Sequence, residues 1–130
     1  MMATQTTTIA TKLSTEHNDW LRSLDFYNDE LKILKARLTQ VAGKNTGAEA
    51  SEDAEIFENR LDIQLKNIYD LSHDIRRHLA NIAVQAKEKA GHIETRMLDE
   101  HAELREHYIA LEKTVHDLRH EFYRYASKWM

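Results

Sequence analysis

Apolar residues recur along this chain in steps of three and four. From Leu13 they continue at Trp20, Leu24, Tyr27, Leu31, Leu34, Leu38 and Val41, with polar residues between them. Such spacing keeps one face of a helix apolar and excludes the strict alternation of a half-buried strand. The seam predicts a first helix over about 15–42. Ser14 or Thr15 would cap its start, with Glu16 and Asp19 favourably placed at the positive end of its dipole. Gly43 would take the left-handed position after its last turn.

Two further seams follow. Phe57, Leu61, Leu65, Ile68, Ser72, Ile75, Leu79, Ile82 and Ala86 predict a helix over about 48–90. It begins either at a Thr46–Glu49 capping box or at Ser51, ahead of Glu52 and Asp53. After Gly91, the line Met97, His101, Leu104, Tyr108, Leu111, Val115, Leu118, Phe122, Tyr125 and Trp129 predicts a third helix over about 93–128. Short connections make consecutive helices antiparallel, so the fold class is all-α: an up-down-up bundle of three long helices. Residues 1–12 read as a flexible polar tail and 13–130 as a single bundle domain. A glycine costs a helix only about 1 kcal/mol. A second arrangement therefore stays open, in which 48–128 form one continuous helix paired with another copy.

A first helix of that length is shorter than its two partners and leaves Ile82, Val84, Ile93 and Met97 without a third partner. Either Ile9 and Leu13 extend the first helix over them, or another chain covers them. The second option makes these four a candidate interface, with a second copy or another protein as the partner. Trp20, Tyr27 and Tyr108 read as core anchors, and Phe57, Phe122, Tyr125 and Trp129 are expected to cluster near the Gly43 turn.

Composition narrows function more than fold. The 130 residues include no cysteine, no proline and three glycines. That removes thiolate chemistry and the glycine-rich cradle of a nucleotide site, and no Gly-x-Ser-x-Gly elbow is present. The reading is therefore non-enzymatic. Eighteen basic against twenty-two acidic residues give a formal charge of −4, with no basic stripe, so no nucleic-acid partner is expected. No apolar run approaches the ~20 residues of a membrane helix. The first residues lack the basic-then-apolar order of a secretory signal, and the expected location is the cytoplasm.

Histidine is the compositional excess, with eight residues. Asp74–His78, Glu103–His107 and Glu112–His116 have the i,i+4 spacing of exposed helix-face pairs. His92 follows the glycine turn, and His116 with His120 would make only a weak two-ligand site. His17 and His101 differ because they fall on the seams, between Leu13 and Trp20 and between Met97 and Leu104. The second helix adds His73 to their layer if it starts early, at Gly47, or His78 if it starts late, at Glu52. Glu16, Asp70, Asp74 and Glu103 lie within a turn. Imidazoles and a carboxylate converging inside a bundle can hold a divalent metal, and no other cofactor is indicated. The same layer could equally be a polar core that fixes register, its neutral histidines satisfying one another and Ser72. Burial of these rings would also make the bundle sensitive to acid.

Carboxylate-bridged bundles place a Glu on each of two helices and Glu-x-x-His on each of two others. Asp70-Leu71-Ser72-His73 is a near miss and a fourth helix is missing, so a ferritin- or hemerythrin-like site is incomplete. The strings Trp20-Leu21, Phe26-Tyr27-Asn28-Asp29-Glu30-Leu31, Lys44-Asn45-Thr46, His73-Asp74-Ile75 and His120-Glu121-Phe122 resemble those of small uncharacterised bacterial helical-bundle proteins. The resemblance runs from about Glu16 to Trp129; it implies an antiparallel bundle and brings no activity, cofactor or partner. The sequence thus supports a non-enzymatic bundle with a structural, interaction or regulatory role, self-associating. The alternative is a metal-binding bundle using its histidine-rich end.

Overall fold

A computed structural model describes residues 2–89 and 93–129, with side chains from residue 9 onward. The chain forms α1 (Met2–Lys44), α2 (Ala48–Glu88) and α3 (Thr95–Trp129), and every pair of helices is in contact. The protein is an all-α three-helix bundle, with no strand among the described residues. No described helix is long and apolar enough to cross a membrane.

Helix α1 begins at Met2, well ahead of the predicted residue 15, so helical backbone covers the stretch expected as a flexible tail. Threonine is a poor helix former, and tertiary packing supplies what propensity does not. Ala10 and Leu13 continue the apolar stripe by one more turn and pack on Ile82, Ile93 and Met97, with Ala86 alongside. Three of the four candidate interface residues are thereby covered within the chain. Val84 is exposed.

The first turn is tighter than its glycines suggest. Helix α1 runs through Gly43, whose φ lies outside the left-handed region, and stops at Lys44. The expected glycine terminator is thus replaced by an asparagine. The Asn45 side-chain amide donates to the carbonyls of Val41 and Trp129, at 2.8 Å each, and so serves the last turns of α1 and α3 together. Helix α2 starts between its two predicted caps, with the Ser51 N–H donating to the Gly47 carbonyl at 3.0 Å.

Gly91 and His92, the centre of the second predicted turn, lie outside the described residues. A hairpin is nonetheless secured from both sides. Gln85, a buried residue near the end of α2, accepts a hydrogen bond from the Glu94 N–H at 2.8 Å, and Lys89 pairs with Glu94. In one continuous helix, residues nine apart would be separated by about 13 Å along the axis. The swapped arrangement does not apply.

The chain divides into two compact units, each drawing on all three helices. One comprises the residues up to Leu24 with Asp70–Ile109; the other comprises Asp25–Tyr69 with the residues from Ala110. The second unit is held by leucines and an aromatic cluster in which Phe57 meets Phe122 edge-on at 5.9 Å and Tyr125 at 4.8 Å. Trp129 instead donates its indole N–H to Asp53 at 3.2 Å. Tyr27 donates to Glu112 at 2.7 Å, and Arg119 binds both oxygens of Glu30 at 3.0 and 3.1 Å.

Nothing lies within 4 Å of the place a Gly43 Cβ would occupy, and its backbone is helical. Gly43→Ala should therefore stabilise the protein by about 0.5–1 kcal/mol, read as a higher urea midpoint at unchanged slope. A lower midpoint would mean that the glycine's backbone freedom is in use.

Candidate metal centre

Each helix of the first unit contributes one histidine to a common layer: His17 from α1, His78 from α2 and His101 from α3. All three are buried, His17 completely. One ring nitrogen from each lies within 4.8 Å of the others. The ring centroids stand 4.5 Å apart for His17–His101, 5.2 Å for His17–His78 and 6.0 Å for His78–His101.

Helical phase explains which histidine of α2 takes part. Helix α2 starts early, at Ala48, the case in which sequence depth favoured His73, yet His73 is exposed and His78 is buried. At about 100° per residue, His73 points some 160° away from Ile75, out of the core. His78 continues the stripe Leu71, Ile75, His78, Ile82, in steps of four, three and four. Counting depth from the turn misassigned the residue; counting phase from Ile75 identifies it. The supposed surface pair of His78 with Asp74 is likewise replaced. Asp74 pairs with Arg77, and His78 Nδ1 meets Glu100 across the helix boundary at 3.3 Å.

The hydrogen-bond network assigns the tautomers. Glu16 accepts from His101 Nε2–H, and Arg105 anchors the same carboxylate through contacts of 2.6 and 3.2 Å. His101 Nδ1 is then an acceptor, 2.8 Å from His17 Nε2–H. His78 turns Nδ1 toward Glu100, at 3.3 Å, which places its proton there and leaves Nε2 with a bare lone pair. Two buried ring nitrogens, His17 Nδ1 and His78 Nε2, have no hydrogen-bond partner. A buried polar atom left unpaired costs about 1–3 kcal/mol. Trp20 closes one side, stacked on His101 at 5.0 Å and itself stacked against Tyr108 at 5.7 Å.

Two residues of this arrangement escaped the sequence reading, Glu100 and Arg105. Arg105 stands four positions after His101, on one face of α3, and that spacing was a usable signal. Glu100 is adjacent to His101, and only the packing of α2 against α3 shows which histidine it serves. Asp70 is exposed, as are His107, His116 and His120. A groove of about 280 Å³ between Val41 and Phe122 and a broader one beside Glu52, Glu55 and Glu58 lie in the other unit. Every buried polar or charged residue among those described belongs to the first unit.

Burial depresses the His17 pKa to about 4, helped by the neighbouring rings of His101 and His78. Burial also lowers that of His78, against the opposing pull of Glu100. The Arg105 guanidinium, foremost through its hydrogen bond, holds the Glu16 carboxyl below its ordinary range. Comparison with family models, curated proteins and solved structures finds no match for the chain.

These shifts fix the acid response of the metal-free protein. The unfolded chain takes up protons near ~6.5 while native His17 does so only near about 4, so the native state binds fewer protons between those values. With a chelator present, unfolding free energy should be level above pH ~6.5 and fall below it, by up to about 1.4 kcal/mol per pH unit for each such imidazole. Glu16 adds its loss only below its ordinary pKa of 4.5. Urea titrations at pH 7.5, 6.5, 5.5 and 4.8 check this; a profile level down to 4.8 would show that the rings are not held neutral.

Proposed function

We propose that this protein is a metal-binding helical bundle whose site consists of His17, His78 and His101. The observation that carries the reading is the unpartnered His78 Nε2 in a layer of three buried imidazoles, two of which present their other nitrogen to a carboxylate. Metal-binding histidines characteristically use the second ring nitrogen this way, which fixes tautomer and raises basicity. Hydrogen bonding alone would call for a layer whose lone pairs are filled.

The ligand atoms follow from the network: His101 Nδ1, His78 Nε2 and His17 Nε2, the last after its proton moves to Nδ1. Three nitrogens about 2.05 Å from a tetrahedral ion stand roughly 3.3 Å apart. His17 and His101 are already at 2.8 Å, and the widest separation, within 4.8 Å, must close by roughly 1.5 Å. Imidazole donors suit zinc, copper, nickel or cobalt better than magnesium or calcium, which prefer oxygen. Three protein ligands leave a fourth position for water or a further donor.

A structural or interaction role, with self-association, fits the same architecture and uses other surfaces. The metal reading is preferred because it accounts for His78 Nε2, an atom that a purely structural layer leaves unsatisfied.

Protein purified without a histidine tag and stripped with a chelator should bind one Zn²⁺ per chain by calorimetry. Cobalt should give the intense visible bands of a four-coordinate nitrogen site. Glu16→Gln should weaken binding about 10- to 100-fold through His101 alone. His78→Leu should weaken it by about 100-fold or more. Zinc affinity indifferent to both substitutions, or no binding at 100 μM metal, would refute the site.

A further inference from the structure

We infer that metal binding at His17, His78 and His101 controls the order of the unit that contains them, the residues up to Leu24 with Asp70–Ile109, while the other unit stays folded without metal. The inference rests on the metal reading above and adds what the ion does to the protein.

Three observations carry it. First, the ligands come one from each helix, so a bound ion ties together three segments that only packing otherwise holds. Second, the buried polar and charged side chains, His17, Ser72, His78, Gln85 and His101, all fall in this unit. Third, two of their nitrogens lack partners, so the metal-free layer bears an energetic penalty, and an ion held by His78 Nε2 relieves the part that belongs to that atom. The other unit has an apolar and aromatic core and no such layer among its described residues.

Local opening takes place where burial is least favourable, and a ligand that binds only the closed form suppresses it by mass action. Opening of this unit also uncovers Leu13, Ile82, Ile93 and Met97, an apolar group that is buried in the closed form. Metal would then determine whether that seam is concealed or presented.

Hydrogen exchange of the full chain, stripped and then titrated with Zn²⁺, tests this. Calorimetry on the same sample supplies the dissociation constant. Peptides within 9–24, 70–89 and 93–109 should slow by a factor close to one plus the ratio of free zinc to that constant, about 100-fold at hundredfold excess. Peptides within 25–69 and 110–129 should keep their rates. Zinc that binds at the three histidines and slows both sets equally would show one global transition and overturn the inference, as would binding with no slowing. Absence of binding would remove the metal reading and the inference together. His78→Leu should abolish the zinc effect; should that variant not fold, Mg²⁺ on the native chain is the control and should leave exchange unchanged.

Discussion

Burying an imidazole obliges the surrounding protein to supply partners for two nitrogens, and this bundle buries three in one layer. Leucine would fill those seam positions at no polar cost. The histidines instead require Glu16 and Glu100 at the rim, Arg105 to hold Glu16 in place, and Trp20 to cover the exposed ring face. Each requirement constrains how one helix sits against another. His17 must reach the depth of His101, which sets the register of α1 against α3, and His78 must lie on the inward face of α2. A polar layer of this kind specifies one alignment where an all-apolar seam would tolerate several.

The two units of the chain therefore meet different physical demands. The unit from Asp25 to Tyr69 and beyond Ala110 is held by apolar burial, with ion pairs at its surface. Lys35–Asp62 and Lys128–Glu49 are solvent-exposed on both sides, so screening by water and salt leaves them little to contribute. Arg119–Glu30 is less exposed, and one guanidinium nitrogen reaches both carboxylate oxygens. The histidine unit combines a similar apolar core with groups that cost free energy when buried. Chemistry is found where packing alone would not have placed those residues.

Three seams at steps of three and four, no proline and a scarcity of glycine were enough to determine an all-α bundle of three long helices, because hydrophobic periodicity is a local property of the chain. The seam positions of His17 and His101 were legible for the same reason. Local signals were less dependable at the boundaries. Gly43 has the look of a terminator but is helical, since the Asn45 amide caps the carbonyls and no left-handed residue is needed. Residues ahead of Leu13 read as a polar tail, yet Ala10 finds an apolar surface on α2 and α3 that only the folded hairpin creates.

Tertiary structure decided the membership of the site. Both His73 and His78 fell near the correct depth by counting residues, and the difference between them is one of rotation about the α2 axis. Phase on one helix is written in its sequence, so Ile75 and Ile82 already marked His78. The partner on the other helix is not, because the pairing of His78 with Glu100, and of Glu16 with His101 and Arg105, depends on the relative register of helices far apart in the chain. Sequence periodicity determined which side chains would be buried. Only packing could decide which nitrogens found a partner and which two did not.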